Sequence, residues 1–414
     1  MRAVLTVLLG GVVLCLTVLF PLSAQGQGAH VAVLLVDSVE LPVTAEEVGR
    51  DAWMEALPGA PSGGVLAERF RERASSEPAS LSATDIDSLP ERSQSAVRNL
   101  ALGRYEAAAE DLRTTLELAD RGLEELNRET QRAREVVDAC LFMVRAYLES
   151  RRKDAAWDQA LRCRRMFPDV KPTSEQLHTP EVMALVRKAD AHLAEGPRGT
   201  LFVDSAPRGC AVRLNGRRMG KTPLRIDDLA IYTYRVQVEC RDDGDFRGRV
   251  HEVSLAKQSK VYVDTRLDAA IRTMPILSLR YESEAEREAF QMRHGAAVAA
   301  LLGVDAVWML GWDAHGNVRA LRIGSDRLSP AQVVLEKGDT PAPDPRIAEA
   351  AQLLAAGRSA WIDSEGQVRS MAPPPSPQPA RRTAPPQTPP DSSPVGWWGV
   401  ALGVAGAVGM GIGW

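Results

Sequence analysis

The sequence predicts a multidomain α+β protein, and three observations lead to this class. Of its 414 residues, 45% are hydrophobic and 25% are charged, so most of the chain can fold into ordinary globular domains. A long helical pattern changes at residues 196–199 to short alternating segments. An apolar run lies at each end of the chain, and ten prolines fall within 372–394. We therefore expect a helical-repeat-like domain, a small all-β domain, a small α/β unit, a Pro-rich linker and a C-terminal transmembrane helix.

The N-terminus is typical of a secretory signal peptide. Arg2 precedes the apolar run Ala3–Phe20, and small residues follow it up to cleavage positions after Ala24 or Gly26. An uncleaved membrane anchor is the alternative. Composition and pattern place the segments at 1–26 (signal peptide), 29–64 (short βα segment), 84–195 (helical domain), 198–267 (all-β domain), 272–368 (small α/β domain), 372–394 (Pro-rich linker) and 395–414 (transmembrane helix).

The C-terminal segment predicts a membrane span behind a stiff spacer. The prolines of 372–394 favour extended polyproline II, which keeps the folded domains away from a surface. Trp397–Trp414 is uncharged, and its 18 residues approach the length that a membrane helix needs. Tryptophans at both ends of this run match an interfacial belt.

The charge balance excludes a strongly basic nucleic-acid binder. There are 50 Lys and Arg residues against 54 Asp and Glu residues, a formal net charge of −4. Residues 145–165 are the local exception, with seven basic and three acidic side chains. This stretch suits either an anionic partner or a solvated helix face.

The cysteines predict two disulfides. Without Cys15 of the signal segment, four cysteines remain in an exported chain. Cys140 and Cys163 are equidistant from the expected turn of a helical hairpin, which brings them to the same height. Cys210 and Cys240 fall in strand-like segments of another domain, so the pairing 140–163 and 210–240 follows. Neither pair has the CxxC spacing of a zinc site or thiol oxidoreductase.

The first two elements after the signal peptide are a strand and a helix. The apolar run within His30–Val39 predicts a buried strand. A helix is expected at Thr44–Leu57, with Thr44 as its N-cap and acidic residues in its first turn.

The helical domain resembles tetratricopeptide repeats. Gly103–Ala108 is similar to the turn between the two helices of one such repeat unit. Tyr147, Ala156, Cys163 and Pro168 follow at the spacings where these repeats place a large residue, two small residues and a terminating proline. The resemblance implies two or three helical hairpins, although the regular 34-residue period is missing.

The all-β domain begins with a strand at Leu201–Val203, a tight turn at Ser205–Cys210 and an alternating segment at Ala211–Leu214. The Asn215–Gly216 pair then strongly favours a hairpin, and a second turn is expected at Met219–Pro223. Further strands are expected at Tyr232–Cys240 and Lys260–Thr265. The run of about 199–267 resembles the PEGA domain, a small all-β module of bacterial envelope and surface proteins. The residues that carry the resemblance, besides Val203 and Val212, are Ser205, Pro207, Gly209, Asn215, Gly216, Gly220, Thr222 and Pro223.

This domain departs from the PEGA pattern in two places and also contains a false nucleotide motif. Arg208 and Cys210 replace the Glu and Ala of the eponymous tetrad, and a glycine is missing before the strand at Tyr234. Gly216–Thr222 looks like a phosphate-binding loop, but it has one residue too few between its glycines and Pro223 follows it. We expect no nucleotide at this loop.

The small α/β domain combines strands with one clear helix. Ser283 is expected to cap a helix that runs to Leu302, with Glu286 completing a capping box. Strands are expected at Ile276–Tyr281, Ala306–Trp312 and Val318–Ile323. Three polar side chains could suggest an active site, but they lack a recognisable nucleophile or ligand spacing: Asp305, Asp313 and His315.

Together these features predict a non-enzymatic protein of the bacterial cell envelope, exported to the periplasmic face and anchored in a membrane. Its expected role is a scaffold that contacts envelope proteins or a cell-wall polymer, without a cofactor, metal, nucleotide or nucleic acid. One alternative is an accessory subunit of an envelope secretion or motility machine. Another is a hydrolase or carbohydrate-binding enzyme that uses the α/β segments.

Overall fold

The computed structural model describes residues 31–57, 59–240, 248–324, 329–338 and 344–374. The expected signal peptide at 1–26 and transmembrane helix at 395–414 lie outside these residues, as does nearly all of the linker at 372–394. Within the described ranges, no helix has the length and apolar character needed to cross a membrane.

The described chain is a multidomain α+β structure. Its helices are α1 (Arg50–Glu55), α2 (Gly63–Arg73), α3 (Ala83–Ala101), α4 (Tyr105–Arg121), α5 (Leu123–Leu126), α6 (Thr130–Glu149), α7 (Lys153–Met166), α8 (Pro180–Glu195), α9 (Thr265–Ala270), α10 (Glu284–Leu302) and α11 (Ile347–Ala355), with a 3₁₀ turn at Glu175–Leu177. Its strands are β1 (Val31–Ser38), β2 (Arg198–Ala206), β3 (Ala211–Leu214), β4 (Arg217–Lys221), β5 (Leu224–Ala230), β6 (Thr233–Glu239), β7 (His251–Ser254), β8 (Gln258–Asp264), β9 (Ile271–Arg272), β10 (Ser278–Tyr281), β11 (Ala306–Trp312), β12 (Val318–Gly324), β13 (Ala331–Leu335), β14 (Ala360–Ile362) and β15 (Val368–Ser370).

A mixed sheet forms the centre of the α/β domain, with the strand order β15-β14-β13-β12-β11-β1-β10-β9. The strand β1 lies between β10 and β11 and is parallel to both. Helices α2 and α10 cover one face of the sheet, and α1 and α11 cover the other. Because both faces are covered, β1 is an apolar run rather than an alternating one.

The same sheet unites two segments that the sequence analysis treats separately, 29–64 and 272–368. Leu35 of β1 is in register with Ser278 of β10 and with Leu310 of β11. Residues 75–270 are therefore an insertion between α2 and the returning strand β9. The pattern of β1 identifies a buried strand, but it carries no information about a partner more than 240 residues away.

The helical module of the insertion contains α3 to α8. Helices α3 and α4 contact each other closely, as do α6 and α7, and one apolar core joins them. Gly103 takes a positive φ of 69° in the turn between α3 and α4, where the sequence predicts a turn. Cys140 and Cys163 form a disulfide with their Cα atoms 6.0 Å apart, which confirms the expected pairing.

The β module consists of two sheets, β5-β2-β8 and β4-β3-β6-β7. Their apolar sides meet in a core that includes Val203, Val212 and Val236. Cys210 and Cys240 form the second disulfide, with Cα atoms 4.3 Å apart, which confirms the second pairing. The strand β4 extends to Lys221, so the turn expected at Met219–Pro223 is shorter than predicted, and β7 is an addition to the strands that the sequence predicts.

The helix expected at Thr44–Leu57 is wrong in its first half. Thr44 does accept a hydrogen bond from the Glu47 amide, at 3.2 Å, but residues 45–49 form turns and only α1 is helical. Gly49 takes a left-handed conformation, with φ 62°, immediately before α1. A left-handed residue interrupts a right-handed helix, so the capping signal at Thr44 has no continuous helix to cap.

The N-cap of α10 agrees with the prediction. The Ser283 hydroxyl accepts from the Glu286 amide at 3.2 Å. The carboxylate of Glu286 accepts from the Glu282 amide at 3.1 Å, one residue before the position that a reciprocal capping box would use.

Candidate interaction site

Four residues of the sequence motif in the β module, together with Cys210, connect two turns by hydrogen bonds. The Ser205 hydroxyl donates to the Pro207 carbonyl at 2.6 Å and lies 2.6 Å from the Thr222 hydroxyl. The Thr222 hydroxyl also accepts a hydrogen bond from the Cys210 amide at 3.2 Å, and the Thr222 carbonyl accepts one from the Gly209 amide at 2.8 Å. Because both hydroxyls are buried, they stabilise the fold rather than present a reactive group.

Gly209 and two other motif residues shape the backbone around these turns. Gly209 has φ 89°, which favours glycine, and open space surrounds the position where a Cβ would stand. At Gly220 a Cβ would lie 2.9 Å from the Leu224 side chain. Pro223 begins the return toward β5.

The Asn215–Gly216 hairpin turn is also a contact with the helical module. Both residues have positive φ, at 48° and 83°, as a type I′ turn requires. The Asn215 carbonyl accepts from the Asn127 side chain at 2.7 Å, while the Asn215 side chain accepts from the Arg235 amide at 2.9 Å. A Cβ on Gly216 would lie only 2.6 Å from the Glu124 carbonyl oxygen. The turn therefore lies directly against α5.

Ion pairs between two buried carboxylates and partly buried arginines surround this contact. Arg235 pairs with Glu124 at 3.1 Å and donates to the Asp120 carbonyl at 2.6 Å. On the other side, Glu239 of β6 pairs with Arg128 of the helical module and with Arg213 of its own module, the latter at 2.8 Å. Pairs of this kind are costly to separate because an unpaired carboxylate would remain buried.

We call this contact between α5 and the Asn215–Gly216 turn, with its ion pairs, the joint. Its two carboxylates differ in their pKa shifts. Burial raises the pKa of Glu124, and the Arg235 charge only partly offsets it. Burial would also raise the pKa of Glu239, but hydrogen bonds from Arg128 and Arg213 outweigh it, so its pKa is lowered. Glu239 therefore favours the charged, paired state.

Two cavities are found, one between the helical and β modules and one at the large sheet. One of about 200 Å³ lies at the joint, between Asp120, Tyr232 and Arg235. Another of about 120 Å³ lies at the ends of the large sheet, near Trp312 and Arg346. Both are smaller than the roughly 300–1,000 Å³ of typical small-molecule sites.

The three candidate catalytic residues do not converge. Asp305 precedes β11 and Asp313 follows it, so about eight strand residues, or about 25 Å, separate them. The Asp313 carboxylate accepts from the amides of His315 and Asn317, at 2.8 and 2.9 Å, and thereby holds the β11–β12 turn. His315 is exposed in this turn.

The false nucleotide motif Gly216–Thr222 forms a hairpin turn and the strand β4 rather than a loop before a helix. Within the described ranges there is no cluster of three or more His, Cys, Asp or Glu side chains arranged to hold a metal ion.

A second junction connects the β module to the α/β domain. Asp264 caps α9 and pairs with Arg293 of α10 at 2.9 Å. Beside it, His294 is fully buried and its Nδ1 lies 3.1 Å from the Tyr281 hydroxyl. Burial lowers the pKa of His294 to about 3 and raises that of Tyr281, so both groups are neutral. Neither is accessible to a substrate.

No sequence pattern indicates the residues that join the modules. Glu124, Asn127 and Arg235 belong to no motif, and their contacts span about 90 to 110 residues of chain. The Asn215–Gly216 pair predicts the hairpin turn, but it does not indicate that this turn also contacts α5.

Comparison with known families agrees with the expected β module. The family model described as PEGA domain matches residues 198–270, which covers β2 to α9. No curated protein and no solved structure matches the chain.

Proposed function

We propose that the protein is a non-enzymatic scaffold of the bacterial cell envelope that contacts envelope proteins or a cell-wall polymer. The observation that carries the proposal is the joint between the helical and β modules. Ion pairs with buried carboxylates and a closely packed hairpin turn hold the two modules together, so their outer surfaces keep a fixed relation. A fixed set of exposed surfaces suits binding to large partners.

The helical module supports a role in protein binding. Its hairpins α3–α4 and α6–α7 have the turn positions expected for tetratricopeptide-like units, which commonly form binding surfaces. Leu102 in the first turn is 59% exposed and Leu177 near α8 is 50% exposed, which offers apolar contacts. The same surfaces would serve an accessory subunit of an envelope secretion or motility machine.

The two disulfides support export, because such bonds persist in oxidising compartments. We further propose that the C-terminal segment holds the mature protein at a membrane. A chain that ends at Pro394 is then expected in the soluble exported fraction, and the full chain in the membrane pellet. Retention of the shortened chain after a carbonate wash would contradict this anchor.

The test of the scaffold function is photo-crosslinking in cells. A crosslinkable residue replaces Leu102 in the helical module or Met219 in the β module of the full chain, and His315 in the α/β turn serves as control. We expect discrete envelope adducts from the first two positions and few from the control. Fractionation with the cytoplasm would overturn the proposal, as would a turnover that disappears when Asp313 and His315 are replaced.

A further inference from the structure

The outward face of the sheet β5-β2-β8 carries an aromatic ring between two cations. Phe202 of β2 is in register with Arg225 on one neighbouring strand and with Lys260 on the other. The Arg225 guanidinium carbon lies 5.4 Å from the centre of the Phe202 ring, and the Lys260 ammonium nitrogen lies 6.0 Å from it. With strands about 4.8 Å apart, this row spans about 10 Å.

The same arrangement continues along β8 into the α/β domain. Tyr262 points to the same face two residues after Lys260, and 53% of it is exposed. Next on that face comes Asp264, which pairs with Arg293 of α10. Arg293 lies 4.8 Å from the centre of the Phe290 ring.

Arg266 of α9 adds a second cation over Phe290, at 4.4 Å from the centre of the ring. Three rings and four cations therefore follow one another across the two domains. We call this surface the aromatic–cation stripe: Phe202, Tyr262 and Phe290 with Arg225, Lys260, Arg266 and Arg293.

Two cations and one ring of the stripe are available to a ligand. No carboxylate within the described residues forms an ion pair with Lys260 or Arg266, whereas Arg225 and Arg293 each have one. The exposed Tyr262 ring offers an apolar face to solvent. A cation beside a ring stabilises the fold by only about 0.5–1 kcal/mol at exposed sites. Stabilisation of the fold is therefore a weak reason for placing Lys260 and Arg266 here without a carboxylate partner.

We propose that the aromatic–cation stripe binds a polysaccharide that carries carboxylates on some of its sugar rings. The C–H faces of sugars stack on aromatic rings, and carboxylates pair with cations such as Lys260 and Arg266. The Asp204 and Asp227 carboxylates lie on the same face and can accept hydrogen bonds from sugar hydroxyls. The inference rests on the proposed function, because it requires a chain that faces envelope polymers.

The same acidic residues make a single-stranded nucleic acid the less favoured occupant. Its successive phosphates need a groove of uncompensated cations beside the stacking rings. Here Asp227 lies 2.8 Å from Arg225 and Asp264 lies 2.9 Å from Arg293, so two of the four stripe cations are already neutralised. Asp204 adds a further carboxylate beside them, 2.8 Å from Arg208. A polymer with hydroxyls on every ring and charges on some matches this mixture of acceptors and cations.

The experiment is a binding titration of the full chain with soluble polygalacturonate, with dextran as the neutral polymer. The stripe variant combines Lys260→Gln with Tyr262→Ala. The matched control combines Lys221→Gln on the edge strand β4 with Val368→Ala on the edge strand β15, because both residues are exposed and lie outside the stripe. Circular dichroism and the integrity of the disulfides serve as the check that both variants fold.

We expect saturable, salt-sensitive binding to polygalacturonate, none to dextran, and about a tenfold weaker affinity in the stripe variant than in the control. Absence of binding by the folded chain would overturn the inference, as would equal weakening in both variants. Tighter binding of an oligothymidylate than of polygalacturonate would also overturn it and identify a nucleic-acid surface.

These outcomes are separate from those that test the scaffold function. Loss of polysaccharide binding with intact crosslinks from Leu102 would overturn only the role of the stripe. Fractionation of the chain with the cytoplasm would overturn the scaffold proposal even if the purified chain bound polygalacturonate.

Discussion

Replacing Gly216 by alanine should loosen the joint between the helical and β modules. The added Cβ would lie 2.6 Å from the Glu124 carbonyl oxygen and 3.0 Å from Asn127. Because the oxygen belongs to the backbone of α5, it cannot move aside as a flexible side chain could. Gly209→Ala is the matched control, since its φ of 89° is close to the 83° of Gly216 but open space surrounds its Cβ.

The two substitutions share one cost and differ in another. An L-residue in a left-handed conformation costs about 1–2 kcal/mol at either position. Forcing an extra methyl into a packed contact costs roughly a further 1–3 kcal/mol, and only Gly216→Ala incurs it. The unfolding free energy should therefore fall about 1–3 kcal/mol more for Gly216→Ala than for Gly209→Ala.

Urea unfolding of the full chain measures this difference, and amide hydrogen exchange locates it. We expect faster exchange in α5 and in the Asn215–Gly216 hairpin of the Gly216→Ala variant, with little change there for Gly209→Ala. Equal destabilisation by the two substitutions, with unchanged exchange at α5, would refute the idea that this turn forms the joint.

Three further predictions concern single groups. Replacing Cys210 and Cys240 by serine should lower the unfolding free energy by about 3–4 kcal/mol, given a separation of 30 residues, and urea unfolding without such a loss would contradict it. The lowered pKa of Glu239 stabilises the fold above the pKa of the unfolded carboxyl and less as the pH falls, so Glu239→Gln should flatten the acid side of a stability–pH profile. Burial lowers the pKa of His294 from its ordinary 6.5 to about 3, so the unfolded chain binds the proton first and the unfolding free energy declines as the pH falls below about 6.5. His294→Phe should remove that decline, and an NMR titration midpoint near 6.5 would disprove the shift.

Local patterns were sufficient to predict the elements with strong periodicity or clear caps. The buried strand β1, the helical hairpin with Cys140 and Cys163, and the cap at Ser283 all follow from residues close together in the sequence. The helix α1 is shorter than predicted because a left-handed Gly49 overrides the capping residues before it. A single backbone conformation is not visible in a hydrophobic pattern.

The sequence does not indicate which distant strands pair with one another. The placement of β1 beside β10 depends on a sheet that closes across the whole insertion. The aromatic–cation stripe depends in the same way on register, because Phe202, Lys260 and Tyr262 meet only when β2 and β8 pair in parallel. Alternation along each strand indicates which side chains face outward but not which neighbours they meet.

The base of the insertion explains how a binding surface can span two domains. Ser76 and Val250 exchange backbone hydrogen bonds at 2.9 and 2.8 Å, so the outgoing and returning segments are paired. Glu77 then accepts from the Thr273 amide at 2.8 Å and pairs with Arg249 at 3.1 Å. Burial would raise the pKa of Glu77, but these hydrogen bonds and the Arg249 charge outweigh it and lower the pKa, which keeps the pair charged. The β module therefore contacts the α/β domain in two places, at this base and at the Asp264–Arg293 pair. Two separate contacts restrict rotation between the domains, and this keeps the rings of the stripe aligned from β8 to α10.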